Sequence, residues 1–286
     1  MNKVEVKNIS KTFGDVAALK NITIDFEENH IYGLLGRNGA GKTTLLNILT
    51  GKIFSDSGEV LVDGEPVLEN DHALSKMYCM TEMNLYPERM RVKEAFRWSA
   101  EFYPEFNREY ANNLCKKFEL KQNGKIKDLS TGYASIFKII VALACGAEII
   151  IFDEPVLGLD ANHRDLFYKE IIQNFSDRPR TFIISTHLIE EIENVIDRVL
   201  IIKNGELIMD DDVQNVLALG CTVSGPAGAV DEFIRNKRVL GCDTLGGLKS
   251  AYLLEQFDHV PNGLEISSLD LQKLFIQLTN AQEAQK

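Results

Sequence analysis

The chain has 286 residues, 45% of them hydrophobic, which suits one large domain with an appendage, or two domains, with a full core. Its 31 basic and 42 acidic residues give a formal charge of −11 and a pI near 5.0. That balance excludes a surface built for nucleic-acid phosphates and disfavours electrostatic adhesion to anionic lipid. Five cysteines with no C-x-x-C pair exclude a disulfide frame and a zinc site, and read as reduced thiols.

The N-terminal stretch MNKVEVKNISKTF lacks the apolar segment of a signal peptide. The longest apolar run, Ile139–Ala147, falls far short of the ~20 residues of a spanning helix and is expected to be a buried core helix. A soluble, cytoplasmic chain is expected. Val4, Val6 and Ile9, then Ile22, Ile24 and Phe26, alternate near period two and predict antiparallel strands with one buried face. IYGLLG at 31–36 predicts a short buried strand entering a glycine-rich turn, KTTLLNILT a helix, and EVLVDG at 59–64 another strand.

From about Arg91 to Lys127, Phe96, Trp98, Phe102, Phe106, Tyr110 and Phe118 recur at helical spacing and predict a small helical subdomain packed by its aromatics. A helix follows near 133–145, then an apolar strand at 148–153, a helix near 161–175, a strand at 181–185 and a hairpin turning at Asn204-Gly205. Alternation of this kind implies a parallel sheet with helices on its faces. Beyond about Asp212 come a short strand near Cys221–Ser224, a helix after Pro226 and a strand near Val239.

GRNGAGKT at 36–43 fits G-x-x-x-x-G-K-[ST] between a strand and a helix. Gly36, Gly39 and Gly41 allow positive φ and close backbone approach. The amides of Gly36, Arg37, Asn38, Gly39, Ala40, Gly41, Lys42, Thr43 and Thr44 then form an anion nest at a helix N-terminus. Lys42 would sit on the β- and γ-phosphates of ATP, and the Thr43 hydroxyl would ligate Mg²⁺. EIIIFDEP at 148–155 ends a strand in two acids at the sheet edge where ligands bind. Asp153 would hold Mg²⁺ through water, and Glu154 would be the base for the attacking water.

LSTGY at 129–133 resembles the LSGGQ signature of ABC-type ATPases, with Ser130 and Gly132 matching and Thr131 and Tyr133 departing. GLD at 158–160 resembles that family's D-loop, STH at 185–187 its switch with His187, and Phe13 stands where the family puts a ring on adenine. The resemblance spans about residues 1–210. It implies an α/β, RecA-like P-loop NTPase core with an antiparallel β subdomain, and a helical subdomain at about 82–140. The ATPase domain would be 1–212 and a small α+β C-terminal domain 213–286.

By the same resemblance two ATPase domains pair head to tail. Each ATP would lie between the phosphate loop of one and Ser130, Gly132 and Asp160 of the other, and His187 would order the attacking water. The implied function is an ATP-hydrolysing subunit that drives an integral membrane permease, attached through it to the inner face of the cell membrane. The tail resembles that of exporter ATPases. A soluble ABC ATPase with a regulatory or nucleic-acid task is the alternative, although the charge speaks against a nucleic-acid partner. The family usually carries a glutamine near the metal, where this chain reads MYCMTEMNLYP at 77–87. Thr81 falls at that position with Glu82 beside it. Glu82 has the reach for Mg²⁺, whereas Thr81 would need a bridging water.

Overall fold

The N-terminal alternation folds into two long antiparallel strands, β1 (Asn2–Phe13) and β2 (Val16–Glu27), whose inward residues Val4, Val6, Ile9, Ile22, Ile24 and Phe26 are fully buried. The computed structural model describes residues 2–257 and 259–280. Strand β3 (Ile31–Leu35) is buried throughout and runs into helix α1 (Lys42–Leu49). Strands β4 (Ser57–Val62) and β5 (Glu65–Pro66) complete an antiparallel sheet in the order β2-β1-β4-β5. A short helix, α2 (Asp71–Ser75), leads to β6 (Met77–Met80).

Next come α3 (Val92–Phe102), α4 (Arg108–Lys117) and α5 (Thr131–Ala144). Phe96, Phe106 and Phe118 are buried among them, as their helical spacing predicts, while Trp98 and Phe102 face solvent at 50% and 75% exposure. The chain re-enters the sheet at β7 (Ile149–Asp153), then forms α6 (Ala161–Asp177), β8 (Thr181–Thr186), α7 (Ile189–Ile192), β9 (Arg198–Lys203) and β10 (Glu206–Asp212). The central sheet has the order β10-β9-β3-β8-β7-β6, parallel except for β10.

Because side chains alternate across a strand, each strand of the central sheet feeds two cores. Ile149 and Ile151 pack toward the antiparallel sheet and α1, and Ile150 and Phe152 toward the helices. Both faces of β3, β7, β8 and β9 are covered, so these strands read as continuous apolar runs, whereas edge strand β10 alternates. The carboxyl ends of β3, β7 and β8 come into line, and each leads directly into a polar loop.

The remainder comprises α8 (Val213–Ala218), β11 (Cys221–Pro226), α9 (Ala227–Ile234), β12 (Val239–Leu245), β13 (Leu248–Leu253), β14 (Glu265–Ser268) and α10 (Leu271–Asn280). Its sheet is antiparallel, in the order β12-β13-β11-β14, with a small core around Val223, Val230 and Leu253. Helix α10 turns back instead of capping that core. Leu271, Leu274 and Phe275 join Val213, Val216 and Ile192 in the large helical-side core. Glu193 Oε2 accepts a hydrogen bond from the Leu271 amide at 3.3 Å, and Lys203 Nζ donates to the Leu278 carbonyl at 2.9 Å. Among the described residues no helix is long and apolar enough to cross a membrane.

Candidate functional site

The turn after β3 wraps around the N-terminus of α1. Gly41 has φ +112°, and a Cβ there would stand 2.6 Å from the Ala18 carbonyl, so only glycine fits against β2. The loop is fixed from the other side by the turn between β9 and β10. The Gly205 amide donates to the Ala40 carbonyl at 3.0 Å, and Lys20 N–H to the Gly205 carbonyl at 2.8 Å. Asn204 and Gly205 both have positive φ, as a tight two-residue hairpin requires. A cavity of about 630 Å³ results, walled by Arg37–Thr44, Val16–Ala18, Lys20, Asn204, Glu82 and Glu154. With the free amides of the first turn of α1 facing it, this is a place for a polyanion.

Lys42 is buried, and its ammonium donates to the Gly36 carbonyl at 2.6 Å and lies 3.9 Å from Glu154 Oε1. Burial pushes its pKa below the usual lysine value, against the pull of the Glu154 and Asp153 charges. A cation held this way gains most from a ligand with several negative oxygens.

The two motifs meet directly. Thr43 Oγ1 donates to Asp153 Oδ2 at 2.9 Å. The other oxygen, Asp153 Oδ1, is buried and makes no hydrogen bond among the described residues, and neither does the Ser185 hydroxyl on the adjacent strand. A buried carboxylate oxygen without a partner is costly. A hydroxyl and a carboxylate at the mouth of a phosphate cradle form the hard oxygen set that Mg²⁺ takes, so these residues fit that ion. Glu154 follows with φ +49°, a conformation that costs a non-glycine residue free energy and is fixed by its amide donating to the Ser185 carbonyl at 2.9 Å. Its side chain reaches back to the cavity, and Glu154 Oε2 lies 2.9 Å from His187 Nδ1 at the end of β8.

Ser130 caps α5, its hydroxyl accepting from the Tyr133 amide at 3.3 Å. A Cβ on Gly132 would be 2.8 Å from the carbonyl of Gly158, which itself has φ +80°, so the start of α5 and the loop before α6 are in backbone contact. Asp160 caps α6 and receives hydrogen bonds from the His163 amide and, at 2.9 Å, from its ring, which hold its carboxyl below the usual range.

Among the expected site residues, Arg37–Thr44, Glu82 and Glu154 line the cavity, Gly36 stands behind it with its carbonyl on Lys42, and Asp153 and His187 join through side-chain bonds. Ser130, Gly132 and Asp160 are not part of its wall, and neither is Thr81, whose carbonyl instead accepts a hydrogen bond from Lys138. Phe13 is half exposed on the β1–β2 hairpin, beside rather than in the wall, with Lys11 Nζ 5.4 Å from its ring centre. The cavity residues that sequence reasoning missed are Val16–Ala18, Lys20 and Asn204. The Asn204-Gly205 turn was visible, but its docking on the phosphate loop is a contact between distant segments.

Residues 19–157 match the family model described as ABC transporter. The ABC transporter ATP-binding protein YtrB of Bacillus subtilis is 30% identical over 73% of this chain and 72% of that protein. The Nod factor export ATP-binding protein I of Burkholderia lata is 29% identical over 77% of this chain and 75% of its own length. The ribose import ATP-binding protein RbsA of Lacticaseibacillus paracasei is 32% identical over 75% of this chain but only 45% of its own length. The dimeric structure of a post-hydrolysis ATP-binding cassette bound to ADP and Pi superposes with a TM-score of 0.65 at 25% identity, over 73% of this chain and 98% of that one.

Proposed function

Because the chain belongs to the ABC transporter family of ATP-binding proteins, we propose that its ATPase activity drives a membrane permease made by other chains and works in the export direction. Membership makes it an ATP-binding subunit that hydrolyses ATP. The export direction is supported by the tail after Asp212, which resembles the small C-terminal extension of exporter ATPases.

The observation that carries the reading is the Thr43–Asp153 bond, which joins the phosphate loop to the acid pair and leaves Asp153 Oδ1 buried and without a partner among the described residues. Thr43 and Asp153 would hold Mg²⁺, which supplies charge neutralisation on the phosphate oxygens. The loop amides and Lys42 bind and orient the phosphates. Glu154 takes the proton of the attacking water. His187, bonded to the same carboxylate, orients it. Positioning and charge stabilisation carry phosphoryl transfer of this kind. Ser130 and Gly132 stand away from this chain's own cavity, which supports a second ATPase subunit, a copy or a relative, that closes the nucleotide from the other side.

The test is E154Q. It should bind Mg-ATP normally, form an ATP-dependent dimer, and copurify with an integral membrane protein. Normal turnover in E154Q, or an ATP-bound form that stays monomeric, would sink the proposal.

A further inference from the structure

Lysine is rarely buried without a partner. Lys138 sits in the middle of α5, flanked by the buried Phe137 and Ile139, and is itself only partly exposed. Its ammonium donates to two consecutive backbone carbonyls, Thr81 at 2.8 Å and Glu82 at 2.9 Å. Burial lowers its pKa, and the Glu82 charge pulls it back up. One cation on two successive carbonyls fixes the orientation of both peptide units and so the direction in which the intervening side chain leaves the loop. That side chain is Glu82, which lines the phosphate-loop cavity.

We propose that Lys138 is a positioning residue that holds Glu82 at the nucleotide cavity and ties the loop after β6 to the helix capped by Ser130. Lys138 lies about two turns, or roughly 12 Å, along a single rigid helix from Ser130. A displacement of that helix by a ligand at its N-terminus therefore carries the Glu82 loop with it. Lysine suits the task because its three donors serve two carbonyls at once, whereas an apolar residue at this position would leave the loop unattached. The inference rests on the reading that Glu82 approaches the Mg²⁺ of bound Mg-ATP.

The test measures equilibrium binding, not turnover. The affinity for the non-hydrolysable imido analogue of ATP is measured by calorimetry, with Mg²⁺ and with a chelator in its place. The proteins are wild type, K138M, K138R, E82A and K138M/E82A. K138M should lower the Mg²⁺-dependent gain in affinity by about tenfold, the size expected for losing hydrogen bonds to a charged group, and leave binding in chelator unchanged. K138R should keep most of the gain. In the E82A background K138M should add nothing, since coupled residues are non-additive. K138Q replaces K138M if the latter is poorly soluble. If E82A lowers the gain but K138M does not, or if K138M weakens binding equally with and without Mg²⁺, Lys138 has no positioning role. Full additivity in the double variant also overturns it. An E82A protein with the wild-type gain instead removes Glu82 from the metal, a separate outcome.

Discussion

His187 and Glu154 are joined at 2.9 Å, ring Nδ1 to carboxylate Oε2, although they come from the ends of different strands. The carboxylate is thus gripped by His187 on one side and approached by Lys42 on the other, at 3.9 Å. If His187 orients the base, removing its ring should affect turnover far more than binding. We expect His187→Ala to lower the hydrolysis rate by ~10²-fold or more with little change in ATP affinity. Its side chain is 47% exposed, so stability should hardly move. Steady-state kinetics beside equilibrium binding decides the matter, and an equal loss in both would make His187 a binding group.

Removal of the metal should act through Asp153. Asp153→Asn keeps the shape but weakens the acceptor for Thr43 and removes the charge. We expect it to need far more Mg²⁺ for half-maximal hydrolysis while binding ATP in chelator as the wild type does. A Mg²⁺ titration identical to wild type would remove Asp153 from the metal site.

Phe13 offers a cleaner separation of packing from ligand contact. At 50% exposure its truncation should cost little stability, within about 0.5 kcal/mol. If adenine stacks on it, Phe13→Ala should still weaken ATP binding by ~1–3 kcal/mol, the range for a base on an aromatic ring. The Michaelis constant should therefore rise more than turnover falls. A fall in melting temperature without a change in affinity would assign Phe13 to the fold.

Leu274 is fully buried in the large core although it lies in the last described helix. Leu274→Ala should destabilise the protein by ~2–5 kcal/mol and leave ATP affinity at the phosphate loop intact in the folded fraction. Chemical denaturation and nucleotide titration of the same sample measure both. Wild-type stability would mean that α10 is not held by this contact.

Local patterns proved legible where burial repeats along a strand or where a loop must accept phosphate. Val4 and Val6, Ile22 and Ile24 announce their sheet by period two, and the spacing of Gly36, Gly41 and Lys42 announces the cradle. What stayed hidden depends on pairing across distance. Lys138 immediately precedes the apolar run from Ile139 and gives no local sign that its ammonium reaches Thr81 and Glu82. Nor does the pattern of Leu271, Leu274 and Phe275 say which of two cores their helix will enter. Trp98 and Phe102 stand one turn apart on α3, outside the buried stripe of Val92, Ala95, Phe96 and Ser99, and so face solvent.

The return of α10 has a consequence for how the protein is made. Chains emerge from the ribosome N-terminus first, and domains tend to fold in that order. Here the nucleotide motifs and the whole central sheet are synthesised before the residues that complete the core beneath α7. Until Leu271–Phe275 emerge, Val213, Val216 and Ile192 lack their cover, so a nascent chain stalled at Gly220 would show apolar surface. Final consolidation of the ATPase unit thus waits on translation of a segment that carries no nucleotide motif at all.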